Sequence, residues 1–220
     1  VSDAPANPSP TLLLLMKQME ADFFKDFAAK LAPSISTVHV DSLDALREAV
    51  PGPRPQTRLF AFSTSIIVPP SILAHLDYNA VNFHPGPPEY PGYRPTGFAL
   101  YDGARSYGVT AHYMTDRVDE GPIIGVDRFP VMENAVLIDV VKESYQRLAK
   151  LALAKLPALL RVDEDIPPSG EIWTARKTTK AQYDAMRRIP RDMPAGEIIK
   201  RFRCFDGIYT PLDPDFVPES

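Results

Sequence analysis

The chain has 220 residues, 45% of them hydrophobic and 24% charged, and a formal net charge of -4. That length suits one substantial core with a small appendage, and the balance excludes a disordered or collagen-like chain and any broad electrostatic pull on nucleic acid. Cys204 is the only cysteine, so no intrachain disulfide framework or thiolate zinc cluster can form, a usage that fits a cytoplasmic enzyme.

Residues 11–16 read as a first buried strand; their apolar run is too short to cross a bilayer and lacks the basic flank of a leader. Met19, Phe23, Phe24, Phe27, Ala28 and Leu31 recur at helical spacing and predict a helix over 19–31. A second strand follows at 36–40, then a helix capped by Asp41, with Asp44 near its orphan amides and Leu43, Leu46 and Val50 inward. Residues 58–62 form a third strand, Pro69 and Pro70 open a short helix, and 80–84 form a fourth strand. Strand and helix alternate at the spacing of an open, mostly parallel Rossmann-like α/β sheet with helices on both faces.

The pattern then changes. A helix is expected over 95–101, strands over 109–114 and 123–131, and a long amphipathic helix over 136–156 that Pro157 ends or kinks. Short helices near 181–189 and 195–202 belong to a C-terminal extension. The chain thus divides into 1–165, with an abbreviated N-terminal half, and an extension over 166–220. The 24 prolines crowd the first ten residues, the stretch 85–95 and the tail after Ile189. The first of these clusters reads as a frayed end.

The middle cluster borders the strongest candidates for chemistry. In a strand, successive side chains alternate between faces, so Asn82 and His84 project together from the C-terminal end of the fourth strand, the edge where open α/β sheets bind ligands. Pro85, Gly86, Pro87 and Pro88 then force a turn. Asp119 stands two residues before Gly121, which lets its loop bend sharply. Each alone also suits a local role, as a turn cap or a packed histidine. Together they suit acyl transfer: Asn82 can hold a developing oxyanion, His84 can donate to it or move a proton, and Asp119 can orient the imidazole or take the proton of an attacking amine. No serine or cysteine accompanies them, so direct attack by a substrate amine is the simpler scheme.

Residues 82–123, NFHPGPPEYPGYRPTGFALYDGARSYGVTAHYMTDRVDEGPI, resemble the central signature of the folate-dependent formyltransferases. Asn82 and His84 match that family's Asn-x-His-Pro motif. Asp119 matches its Asp-x-Gly motif, which follows a Gly-Val-Thr strand like Gly108-Val109-Thr110. The resemblance implies catalysis by Asn82, His84 and Asp119, and N10-formyltetrahydrofolate as formyl donor. It places the donor near Ser63, Ser65, Ile66 and Val68 and near Asp116 and Val118, with His112 either lining that pocket or packing behind it. No metal is expected, because the His and acidic residues lack zinc-ligand spacing and formyl transfer to an amine needs none. The glycine-rich turn of the phosphoribosyl-binding members is missing after the first strand, where Lys17, Gln18, Met19 and Glu20 stand.

Residues 166–220 are too few for the RNA-gripping barrel of the methionyl-tRNA formyltransferases. The basic residues Arg176, Lys177, Lys180, Arg187, Arg188, Lys200, Arg201 and Arg203 read first as a solvated face, with RNA or a diphosphate as other uses. The turn Pro88-Glu89-Tyr90-Pro91-Gly92 and the segment around Trp173 resemble the sugar N-formyltransferases. The expected acceptor is therefore an amine on a nucleotide-linked amino sugar, faced by Tyr93, Arg94 and Trp173. The oligomeric state is left open between a single chain and a homodimer, and no membrane or nucleic-acid partner is expected. Formyltetrahydrofolate hydrolysis, a methionyl-tRNA formyltransferase-like activity and a non-catalytic binding module are the alternative readings.

Overall fold

The computed structural model describes residues 9–174 and 177–205. Arg176 and most of the proline-rich first ten residues lie outside that range. In chain order the elements are β1 (Thr11–Leu15), α1 (Gln18–Leu31), β2 (Ser36–Val40), α2 (Leu43–Ala49), β3 (Thr57–Phe62), α3 (Pro70–His75), β4 (Ala80–His84), α4 (Pro95–Tyr101), β5 (Ser106–Tyr113), β6 (Ile123–Pro130), α5 (Leu137–Leu159), α6 (Lys180–Arg187) and α7 (Ala195–Cys204).

The strands form one sheet in the order β2-β1-β3-β4-β5-β6. The first four are parallel, with Leu13 opposite Val38 and Leu59, and Ala61 opposite Asn82. β5 reverses direction: the amide of Met114, just past its end, donates to Ala80 O at the start of β4 (2.8 Å). β6 reverses again, and Tyr113 N–H donates to Pro122 O at 2.9 Å. The result is the expected α/β sheet, mixed but mostly parallel, with helices on both faces.

The described residues fall into two compact units. The first draws on 9–84, 111–125 and 149–171, the second on 85–110, 126–148, 172–174 and 177–205.

In the first unit, alternation along the strands sorts two apolar layers. Phe60, Phe62 and Phe83 share one face, where Phe24 of α1 packs with its ring 4.9 Å from Phe60. Leu13, Leu15, Leu59, Ala61 and Ala80 share the other, under Leu46 of α2 and Ile72 and Leu73 of α3. Two expectations need correction here. The cap of α2 is Ser42, not Asp41: Ser42 Oγ accepts from Ala45 N–H at 3.2 Å, a reach that Asp41, one residue earlier, lacks. Of the periodic residues of α1, only Phe24 and Ala28 are buried. Glu20 and Ala21 join them, while Met19, Phe23, Phe27 and Leu31 are exposed. Positions four apart drift around a helix of 3.6 residues per turn, so this apolar row winds off the core-facing side.

α5 runs through Pro157 to Leu159 rather than stopping before it. Proline at that point forfeits a single amide donor one turn from the end. The exposed carbonyls are met by Arg58 of β3, a fully buried side chain. Its guanidinium donates to the carbonyls of Ala158 (2.8 Å), Leu159 (3.2 Å), Arg161 (3.1 Å) and Glu164, and to Asn79 Oδ1 at 2.6 Å.

In the second unit, Phe98, Tyr107, Phe129, Tyr183, Cys204 and Phe205 form the core. The segment after Trp173 closes on the proline turn. Thr174 N–H donates to Pro88 O (3.1 Å), Thr178 N–H to Pro91 O (2.9 Å) and Tyr93 N–H to Thr178 O (2.9 Å). Gly92 makes that approach possible: at φ +101, a Cβ there would lie 2.2 Å from Thr178 O.

Candidate functional site

β4 delivers Asn82 and His84 to the C-terminal end of the sheet, and the turn that follows is held from within the second unit. Tyr107 OH donates to Pro85 O (3.1 Å) and Thr110 Oγ1 to Gly86 O (2.7 Å). Burial pushes the Tyr107 hydroxyl well above its ordinary range, so it stays a donor at any working pH.

Asp119 reaches the end of β4 from the β5–β6 loop. It is 3% exposed and lies between two imidazoles, its Oδ2 3.6 Å from His84 Nδ1 and its Oδ1 3.4 Å from His112 Nε2. His112 also meets Asn82, with Nε2 and Asn82 Nδ2 3.2 Å apart, while its Nδ1 lies 2.8 Å from Tyr113 O. A carbonyl only accepts, so Nδ1 carries a hydrogen; in the neutral ring, Nε2 then accepts one hydrogen of the Asn82 amide. This places the amide's second hydrogen on the other side, away from His112.

Sequence reasoning left His112 between lining and packing. The structure makes it the link that joins Asn82 to Asp119. The antiparallel register of β4 and β5, with Met114 beside Ala80, carries His112 alongside Asn82, and no local pattern announces that register.

The loop that carries Asp119 is held in an uncommon conformation. Asp119 has φ 52, in the left-handed region that aspartate tolerates better than most residues. Two positions on, Gly121 lies against the carbonyl that binds His112: a Cβ there would stand 1.9 Å from Tyr113 O. Gly121→Ala is therefore expected to lower stability by about 1–3 kcal/mol and to loosen Asp119 from both histidines. Thermal unfolding alongside an activity assay checks this, and wild-type values in both would refute it.

The other candidates divide by environment. Ser63 directly follows β3 with φ 48, exposed, its amide donating to Phe83 O at 3.2 Å. Ser65 is exposed and Ile66 half-buried, while the Val68 side chain belongs to the core, so a ligand would meet Val68 through its backbone. Val118 is 48% exposed. Asp116 accepts the hydroxyl of Tyr78 (2.9 Å), a bond that raises the Tyr78 pKa. Tyr93, Arg94 and Trp173 all belong to the second unit. Tyr93 and Trp173 are half-buried and Arg94 is exposed.

Most of the basic residues in the tail are already engaged. Lys180 pairs with Asp184 (2.5 Å), and Lys200 sits 3.9 Å over the Tyr101 ring. Arg201 pairs with Glu197 (2.6 Å) and donates to Arg188 O, and Arg203 donates to Glu133 O. No helix among the described residues is long and apolar enough to cross a membrane.

Comparison with known proteins bears on the fold and on the segment that carries these residues. The profile of the formyl transferase family matches residues 56–160, which include Asn82, His84, His112 and Asp119. Methionyl-tRNA formyltransferase of Listeria welshimeri is 35% identical over 86 residues, 39% of this chain and 26% of that protein. The chain thus spans about a quarter of the length of that relative. Among solved structures, the N-formyltransferase of Helicobacter canadensis, in complex with folinic acid and dTDP-3-aminofucose, superposes with a TM-score of 0.68 at 16% identity, covering 94% of this chain and 85% of that one. A formyltransferase of Anoxybacillus kamchatkensis, in complex with a UDP-linked formamido sugar and tetrahydrofolate, gives 0.61 at 20% identity, covering 80% and 88%. The fold is that of the folate-dependent formyltransferases. It resembles the sugar N-formyltransferases and the catalytic core of the methionyl-tRNA enzymes.

Proposed function

We propose that this chain, which has the formyltransferase fold, moves a formyl group from N10-formyltetrahydrofolate to a primary amine, most specifically on a nucleotide-linked amino sugar. The observation that carries the reading is the buried Asp119 carboxylate between His84 and His112, with Asn82 bound to His112. The formyl transferase profile over 56–160 supports it.

The bound donor supplies an activated formyl group on N10. Around that group, Asn82 uses its second amide hydrogen to hold the formyl oxygen as it gains negative charge. His84 donates to the same oxygen or relays the proton that the amine loses as the new C–N bond forms and the bond to N10 breaks. Asp119 stabilises the imidazolium that His84 becomes, at a separation of 3.6 Å. Ser63, Ser65, Ile66, Val68, Asp116 and Val118 belong to the proposed donor site. Tyr93, Arg94 and Trp173 belong to the acceptor site. A homodimer and a cytoplasmic setting are part of the same proposal. An RNA acceptor has less support, because most basic residues of the tail are engaged within the protein.

The test incubates the chain with formyltetrahydrofolate and a panel of UDP- and dTDP-linked amino sugars, following formamide product and free formate separately. Formamide from at least one sugar is expected. Formate release alone, at a rate no amine alters, would replace transfer with hydrolysis.

A further inference from the structure

Arg94 differs from three arginines of the same unit. Arg128 pairs with Glu89, Arg147 with Asp127 and Glu143, and Arg201 with Glu197. Among the described residues, no carboxylate lies within ion-pair distance of Arg94. Its guanidinium rests instead on aromatic rings, 5.4 Å from the centroid of Tyr183 and 5.7 Å from that of Tyr93. Arg187 lies against the same Tyr183 ring at 5.7 Å. Two cations are thus gathered on one side chain that is itself 3% exposed.

The backbone points the same way. Arg94 has φ 45 and ψ 56, a left-handed conformation that costs a non-glycine residue roughly 1–3 kcal/mol. Its neighbour Tyr93 is clamped on both sides: its amide donates to Thr178 O (2.9 Å) and its carbonyl accepts from Thr178 Oγ1 (2.9 Å). Glycine would occupy position 94 without strain. The chain instead holds an arginine there, its guanidinium close to two tyrosine rings and hydrogen-bonded to their side chains.

We propose that Arg94, propped on Tyr93 and Tyr183 beside Arg187, anchors a site for a diphosphate ester; this rests on the reading of the acceptor as a nucleotide-linked amine. The planar fork of guanidinium donors matches phosphate oxygens, whereas lysine offers only a point charge. Two guanidinium groups on one ring suit a ligand with at least two negative charges better than a single carboxylate. Contact with the two tyrosines also limits the rotamer freedom that an extended arginine would lose on binding.

The decisive experiment titrates UDP, dTDP and inorganic pyrophosphate into the wild-type chain, Arg94→Gly and Arg94→Lys, by calorimetry. Tetrahydrofolate binding and thermal unfolding are measured on the same samples. The wild type is expected to bind both nucleotides, with pyrophosphate competing. Arg94→Gly is expected to weaken that binding tenfold or more, to unfold at an equal or higher temperature because the strain is relieved, and to bind tetrahydrofolate unchanged. Arg94→Lys should recover only a small part of the affinity. Raised salt should weaken the wild type more than Arg94→Gly.

Equal nucleotide affinity in the wild type and Arg94→Gly would overturn the proposal. So would a wild type that binds none of the three anions, or a loss in Arg94→Gly confined to tetrahydrofolate. A lower unfolding temperature with unchanged nucleotide binding would make Arg94 structural. Failure of the formyl-transfer reading appears separately, as absence of tetrahydrofolate binding to the wild type.

Discussion

Asp119→Asn is expected to lower formyl transfer by about two to four orders of magnitude without disturbing the fold. The substitution keeps the shape of the side chain, and asparagine tolerates the left-handed backbone found at φ 52 as readily as aspartate does. What it removes is the negative charge between two imidazoles, 3.6 Å from His84 and 3.4 Å from His112. An imidazolium formed at His84 then loses its stabilising partner inside a buried site. His84→Asn should show a loss of similar size, since it removes the proton relay itself. Tetrahydrofolate affinity should stay within a few-fold of wild type in both proteins, because neither variant alters the backbone around Ser63 or Val118. Single-turnover transfer with a competent acceptor is the measurement. Near-normal rates in both variants would remove these residues from the mechanism.

Arg58→Met should be the most damaging single change to stability, at about 3–5 kcal/mol. Arg58 is 1% exposed and serves five acceptors, four of them carbonyls where α5 ends and the chain turns. Burial lowers its pKa, yet a guanidinium stays charged at every working pH. Methionine would fill much of the volume but leave buried carbonyls without donors, a cost that packing does not repay. Asn79 would suffer too, since its Oδ1 takes the Arg58 Nε–H while its Nδ2 donates to Val162 O at 2.6 Å. Arg58→Lys should rescue little, because one ammonium cannot span acceptors set around a planar fork. Against a usual total of roughly 5–15 kcal/mol, the loss removes a large share of the stability. Denaturant unfolding measures it as a lower midpoint. A shift worth less than about 1 kcal/mol would show that water or rearrangement satisfies those carbonyls.

Arg58 also marks a limit of sequence reading. At the start of a strand, a single arginine looks like an exposed edge charge. Its four carbonyl acceptors lie 100 to 106 residues further along the chain, and nothing local to either segment shows that they meet. The outward row of α1 teaches a related lesson. Met19, Phe23, Phe27 and Leu31 have the spacing of a buried face, but the helix buries Ala21, Phe24 and Ala28 instead, with Phe24 against Phe60 and Phe62. Periodicity reports that a helix has an apolar side; the neighbouring layer selects which residues of that side it covers.

The linear pattern sets the α/β order, bounds β2, β4 and, through Pro95 at its first position, α4, and sends Asn82 and His84 toward one end of β4. These features depend on backbone preferences and on side chains a few positions apart, which a linear pattern records directly. The folded chain alone decided that His112 stands between Asn82 and Asp119, that Gly121 braces the carbonyl holding His112, and that Arg94 lies on Tyr183. Those meetings depend on strand register and loop closure between segments far apart in the chain, where burial and hydrogen bonding summed over the whole core select one arrangement from many that the local pattern permits.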